Sequence, residues 1–71
     1  MRANTYEVLA TPSEGWWCIE VPSVPGVVSQ GRDHEEVLFM AIDAISLILE
    51  VPKEEIEVIV RYHGELLEAH Q

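Results

Sequence analysis

Cysteine is almost absent from this 71-residue chain, in which Cys18 is the single example. An intrachain disulfide is therefore excluded, and this cysteine usage is typical of the reducing cytoplasm, where we expect the protein to reside. Structural zinc sites need about four Cys or His ligands, usually in close pairs, and His34, His63 and His70 form no such pairs with Cys18. A domain this small lacks both kinds of support, so we expect self-association or a permanent partner.

Basic residues are also scarce. Four Lys and Arg residues face thirteen Asp and Glu residues, which gives a formal net charge of -9. Phosphate backbones repel such a surface, so direct binding to DNA or RNA is not expected. An acidic surface attracts basic partners and speeds encounter with them. Simple solubility is the alternative explanation of the charge.

Long apolar runs and the common catalytic motifs are missing as well. The longest apolar run, from Val37 to Ile42, is too short to span a bilayer, and no signal peptide opens the chain. We therefore expect no membrane contact. The sequence has no glycine-rich phosphate loop and no CxxC or HExxH motif. No cofactor, no bound metal and no enzymatic activity are expected.

The predicted fold class is α+β, with the order β-β-β-α-β and one helix packed on one face of the sheet. One domain is expected over residues 1–71, with a core at about 5–62 and a short tail at 63–71. Residues 65–71 have weak helical character. Alternating β-formers predict strands at 5–10, 16–21, 27–30 and 56–62. Turn-forming residues separate the first three strands at 11–15 and 22–26.

The helix is predicted from about residue 34 to residue 50. Asp33 can cap it, and Glu36 has the capping-box spacing to reach back. Pro52 disfavours helix at Val51. A core stripe at helical spacing comprises Val37, Met40, Ala41, Ala44, Ile45 and Ile48. Other apolar residues flank this stripe and leave only a narrow polar strip on the helix. We expect this additional apolar surface to be a docking surface or an oligomer contact, or to be covered by the 22–26 loop and the tail.

Strand alternation divides the sheet residues between two faces. The face expected against the helix carries Tyr6, Val8, Ala10, Trp17, Ile19, Val21, Ile56, Val58, Val60 and Tyr62. The opposite face carries Glu7, Leu9, Trp16, Cys18, Glu20, Ile59 and Arg61. This pattern predicts that Trp17 is a core residue. Trp16 either contacts a partner or is partly covered by its own chain.

Three segments carry a family resemblance: Tyr6-x-Val8, then Gly15-Trp16-Trp17-x-Ile19-Glu20-Val21-Pro22-x-x-Pro25-Gly26-Val27, then Gln30-Gly31 with Glu35-Glu36-Val37. With this spacing, the chain resembles the HicB-like antitoxins over about residues 5–62. The resemblance implies a fold like a reduced ribonuclease H core. It also implies self-association and the binding and neutralisation of a HicA-type toxin, a small basic mRNA interferase. Such antitoxins usually continue into a DNA-binding domain, whereas only residues 63–71 follow the last predicted strand, so operator binding is not expected.

Six residues are the candidates for partner contact. Four are expected on the open sheet face, namely Trp16, Glu20, Glu7 and Leu9. Two are expected on the helix, namely Glu36 and Asp43. Acidic residues would steer a basic toxin, and apolar residues would anchor it. The alternative is a stand-alone homo-oligomeric module with an unknown ligand. A ribonuclease-like metal site would need about four clustered carboxylates, and only Glu7, Glu20 and Glu36 are available for one, so we interpret them as solvated.

Overall fold

The computed structural model describes residues 4–63 and has the predicted α+β architecture. Its elements are β1 (Asn4–Ser13), β2 (Trp16–Glu20), β3 (Val28–Gly31), α1 (His34–Leu49), a short 3-10 turn (Lys53–Glu55) and β4 (Ile56–Tyr62). The predicted helical character of residues 65–71 lies outside the described residues. Within residues 4–63, no helix has the length and hydropathy needed to cross a bilayer.

The four strands form one mixed sheet with the order β3-β2-β1-β4. β1 pairs antiparallel with β2, and β2 pairs antiparallel with β3, so these three strands form a meander. β4 instead pairs parallel with β1 at the far edge. A parallel neighbour requires a crossover connection, and α1 supplies it by lying across one face of the sheet between β3 and β4.

The first hairpin differs from the prediction of a strand ending at residue 10 and a turn at 11–15. β1 continues to Ser13, which pairs with Trp16 across a two-residue turn. Glu14 and Gly15 both have positive φ, 53° and 88°, which is the backbone combination that suits the twist of a two-residue hairpin. Pro12 is tolerated inside the strand because β4 pairs with β1 only as far as Ala10.

The helix begins as the capping residues predict. The Asp33 carboxylate accepts a hydrogen bond from the Glu36 N–H at 2.8 Å. The Glu36 carboxylate reaches back to the N–H of Arg32 at 2.7 Å, one residue before the cap. The helix ends at Leu49, one residue earlier than predicted, because Glu50 adopts the left-handed conformation with φ 57°.

The core lies between α1 and the sheet, with one flank closed by the loop before β3. Its buried apolar residues are Val8, Ala10, Ile19, Val21, Val24, Val27, Val37, Ala41, Ile45 and Ile56. The prediction that Ile48 belongs to the core stripe is wrong, because this side chain is 45% exposed. Ile48 lies near Gly26, because a Cβ built on Gly26 would be 3.9 Å from the Cδ1 atom of Ile48, and glycine has no side chain to place there.

Candidate functional site

The open face is the side of the sheet away from α1. Residues that pair across two strands have side chains on the same face of the sheet. Ala10 and Ile19 pair and are both buried toward the helix. Their neighbours along each strand therefore point to the open face. The predicted division of the strands between two faces is confirmed. The open face comprises Thr5, Glu7, Leu9, Thr11, Ser13, Trp16, Cys18, Glu20, Val28, Gln30, Glu57, Ile59 and Arg61.

Leu9 lies at the centre of this face. It pairs with Glu20 on β2 and with Arg61 on β4, so both of its lateral neighbours are charged. Glu20 in turn pairs with Val28, which is 70% exposed on the edge strand. Ile59 pairs with Glu7 and is 55% exposed. Apolar and acidic side chains are therefore interleaved across all four strands.

Trp16 lies at one end of the open face, next to the hairpin turn. Its side chain is 39% exposed, and the Arg32 guanidinium lies over its ring, 5.0 Å from the ring centroid. Exposed cation–π contacts of this kind contribute about 0.5–1 kcal/mol. The chain thus covers Trp16 in part and leaves the rest available for contact.

Trp17 has the opposite environment, as predicted. It is half-buried against the core and makes an edge contact with Tyr62, with ring centroids 4.9 Å apart. The His34 ring packs 4.0 Å from Tyr62 and 5.7 Å from Trp17. The three rings connect β2, β4 and the start of α1, so Trp17 has a structural role.

The carboxylates of the open face differ in their partners. Glu7 forms an ion pair with Arg61, whose side chain is largely exposed. Glu57 accepts a hydrogen bond from the Thr5 hydroxyl at 3.3 Å. The Glu20 carboxylate has no hydrogen-bond or ion-pair partner among residues 4–63. Exposed ion pairs contribute about 0–1 kcal/mol, so a cationic partner can compete for all three carboxylates.

Glu36 and Asp43 lie in the other layer of the molecule. Glu36 takes part in the helix cap, and Asp43 forms an ion pair with Lys53 at 2.8 Å. Four of the six predicted contact residues therefore share the open face, and these two belong to a separate surface on α1. The distribution also places Glu36 on the opposite side of the sheet from Glu7 and Glu20.

The outer surface of α1 is a second exposed apolar region. Its large exposed side chains, from 39 to 72% exposed, are Leu38, Phe39, Leu47, Ile48 and Leu49. Lys53 lies over the Phe39 ring at 5.2 Å and shields part of it. The loop before β3 buries Val24 and Val27 but leaves this surface uncovered.

Comparison with known proteins finds a relative that matches nearly the whole chain. The chain is 33% identical over 66 residues to a UPF0150 protein of Thermoplasma acidophilum, and the match covers 92% of this chain and 96% of the relative. The chain belongs to the UPF0150 family. No family model and no solved structure matches it. The UPF0150 name states no ligand and no reaction, so the function of this family member must be argued from its surfaces.

Potential metal ligands are dispersed over the described part of this UPF0150 member. Within residues 4–63, no group of three or more His, Cys, Asp or Glu side chains is placed to hold a metal ion. Cys18 is a half-buried free thiol between Thr11 and Gln30, its partners in the neighbouring strands. What the open face offers chemically is contact area, with carboxylates beside apolar side chains.

The residues of the candidate site that sequence reasoning missed include Val28, Glu57 and Arg32. Val28 and Glu57 lie on the open face, and Arg32 covers Trp16. Glu57 could have been assigned to the open face from the alternation of side chains in its strand, because Ile59 and Arg61 lie two and four residues further along the same strand. Alternation alone could not have identified Arg32, because its contact with Trp16 depends on the pairing of Trp17 with Gly31 next to it.

Proposed function

We propose that this UPF0150 member is an antitoxin-like binding protein that neutralises a small basic HicA-type mRNA interferase by masking its surface. The observation that carries the proposal is the open face, where exposed apolar residues alternate with carboxylates in a chain of net charge -9. Interfaces combine an apolar centre with charged groups that select the partner. The complementary surface is apolar and basic, and the HicA-type toxins that the resemblance implies are basic.

The glycines within the segments that resemble HicB-like antitoxins have structural roles in this chain. Gly15 and Gly26 have φ values of 88° and 97°, which favour glycine. Gly31 is buried against the first turn of α1, where a Cβ would lie 2.8 Å from the Val37 nitrogen. These glycines fix the hairpin, the loop and the packing of α1, so the shared motif specifies the scaffold that presents the open face.

Neutralisation in this proposal needs no chemistry from the chain itself. Long-range attraction between the acidic domain and a basic toxin accelerates encounter. Trp16, Leu9 and Ile59 then lose water to the toxin surface, and the adjacent glutamates pair with its cations. The toxin is inactive because its catalytic or RNA-binding surface is covered.

Co-expression tests the proposal. A HicA-type toxin, or a small basic protein encoded next to this chain, is induced with and without it, and growth is followed. We expect the toxin alone to stop growth and the pair to restore it. The proposal is wrong if the toxin stops growth equally in both cases while the two proteins are present at comparable levels.

The outer surface of α1 favours a second candidate function, a stand-alone homo-oligomeric module. Leu47 is 72% exposed, and the neighbouring Ile48 is 45% exposed, in a domain with little core of its own. Light scattering on the purified chain separates the candidates. A stable oligomer that dissociates in a Leu47→Lys variant, combined with no rescue of growth, would favour the module.

A further inference from the structure

Four apolar residues of the open face lie on one oblique line, and Val28 on the edge strand lies apart from it. Cys18 pairs with Thr11, so its diagonal neighbour on β1 is Leu9, two residues away. Leu9 pairs with Arg61, so its diagonal neighbour on β4 is Ile59. Trp16 precedes Cys18 by two residues on the same face of β2 and extends the line toward the hairpin. We call Trp16, Cys18, Leu9 and Ile59 the apolar line.

An acidic line runs beside it. Glu20, Glu7 and Glu57 each lie two residues from a member of the apolar line, along the same strand. Because β2 is antiparallel to β1 and β4, the steps from Cys18 to Glu20, from Leu9 to Glu7 and from Ile59 to Glu57 all point in the same direction. The two lines are therefore parallel, and neighbours in the two lines on the same strand lie about 7 Å apart.

The dimensions of this pattern match a helix. Diagonal neighbours on a sheet lie about 7–8 Å apart, so the apolar line from Trp16 to Ile59 extends about 22 Å. A helix of about 15 residues has that length, at about 1.5 Å per residue. An amphipathic helix carries an apolar stripe with a polar flank beside it. The stripe complements the apolar line, and a basic flank complements the acidic line.

We propose that the open face binds one basic amphipathic helix of the partner protein, with its apolar stripe along the apolar line and its Lys or Arg flank along the acidic line. This deepens the proposed function and rests on it for the partner's identity. The helix lies obliquely across β2, β1 and β4. Its cations pair with Glu20 and Glu57 and compete with Arg61 for Glu7.

Charge complementarity selects this occupant over the segments of the chain itself. A second copy laid on the same face would bring two acidic lines together, and like charges across an interface oppose association. Residues 64–71 contain two glutamates and neither Lys nor Arg, so their sequence does not complement the acidic line.

A designed peptide tests the site without the toxin. The probe is a synthetic helical peptide of about 18 residues with leucines along one stripe and Lys and Arg along its flank. The control peptide has glutamates in place of the basic residues. We expect NMR shift changes at Cys18, Leu9 and Ile59 with the basic peptide only, and weaker binding as salt is raised.

Matched variants identify the acidic line as the cause. Glu20→Lys combined with Glu57→Lys should weaken peptide binding by about tenfold or more, whereas Glu35→Lys combined with Glu50→Lys, on the helix layer, should change it by less than about twofold. Both pairs change the net charge by the same amount. Circular dichroism establishes that each variant is folded.

Three outcomes would overturn the inference: shift changes centred on α1, equal binding of the acidic peptide, or no binding of the basic peptide at about millimolar concentration.

The co-expression assay separates the inferred helix site from the proposed function. If the wild-type chain rescues growth and the Glu20→Lys, Glu57→Lys variant rescues equally well, the inference fails and the function stands. If rescue fails but the basic peptide binds the open face, the function fails and the site stands.

Discussion

Two adjacent tryptophans show how one residue step changes the role of a side chain. Trp17 points into the layer between sheet and helix and packs its ring against Tyr62, whereas Trp16 points to the open face. The reason is the alternation of a strand, in which neighbours lie on opposite faces. Trp17 therefore contributes to the stability of the core, whereas Trp16 is a proposed contact residue.

Replacing each tryptophan by alanine should separate these contributions. Trp17→Ala should lower the free energy of unfolding by about 2–4 kcal/mol, since it removes a half-buried ring from the core. Trp16→Ala should lower it by no more than about 1 kcal/mol, because only the exposed contact with Arg32 is lost. Urea denaturation followed by circular dichroism measures both. A loss for Trp16→Ala as large as that for Trp17→Ala would contradict the assignment.

The junction of β3 and α1 shows how elements constrain one another. Gly31 ends the edge strand and lies under the first turn of the helix, so close that a Cβ would lie 2.8 Å from Val37 Cγ2 and 3.0 Å from Val37 Cα. One of these contacts is with backbone, which cannot rotate away as a side chain can. The helix can pack this close to the sheet only above a glycine.

Gly31→Ala should therefore lower the free energy of unfolding by about 1–3 kcal/mol, through displacement of the helix start. Gln30→Ala is the matched control, because Gln30 is the exposed neighbour in the same strand and its loss should change stability by less than about 0.5 kcal/mol. Thermal and urea unfolding of both variants give the comparison. Equal stability of the two would show that α1 can move at no cost.

The elements that could be predicted are those with strong local signals. Alternation located β4 at residues 56–62, and the Asp33 and Glu36 cap located the start of α1. The end of β1 could not be predicted from local signals, because Pro12 and Ser13 favour turns and are strand residues only through pairing with β2. The exposure of Ile48 likewise depends on the loop around Gly26, which helical spacing does not describe.

The whole molecule has two layers, and its two exposed apolar regions lie on opposite sides. Which residues lie on the open face followed from alternation, since Leu9, Cys18 and Ile59 each lie next to a core residue in sequence. The arrangement of these residues across the sheet could not be predicted from alternation. The apolar and acidic lines are parallel because β4 pairs parallel with β1 in the observed register. Strand pairing therefore brings residues that are scattered in the sequence into one continuous surface of adjacent apolar and acidic lines.

The net charge of -9 acts on the molecule as a whole. The described ion pairs, Glu7 with Arg61 and Asp43 with Lys53, are partly exposed, so they offset little of the repulsion among thirteen acidic residues. Repulsion of this kind destabilises the compact state and is screened by salt. We therefore expect the unfolding temperature to rise by several degrees as NaCl is raised from about 10 mM to about 300 mM.

Scanning calorimetry on the Glu35→Lys, Glu50→Lys variant provides the control for this salt effect. Since the variant carries less net charge, its unfolding temperature should start higher and rise less with NaCl. A decrease with salt in the wild-type chain would mean that the exposed ion pairs outweigh the repulsion. A basic partner would relieve the same repulsion without salt, so the wild-type chain should gain more stability from the basic peptide at about 10 mM NaCl than at about 300 mM.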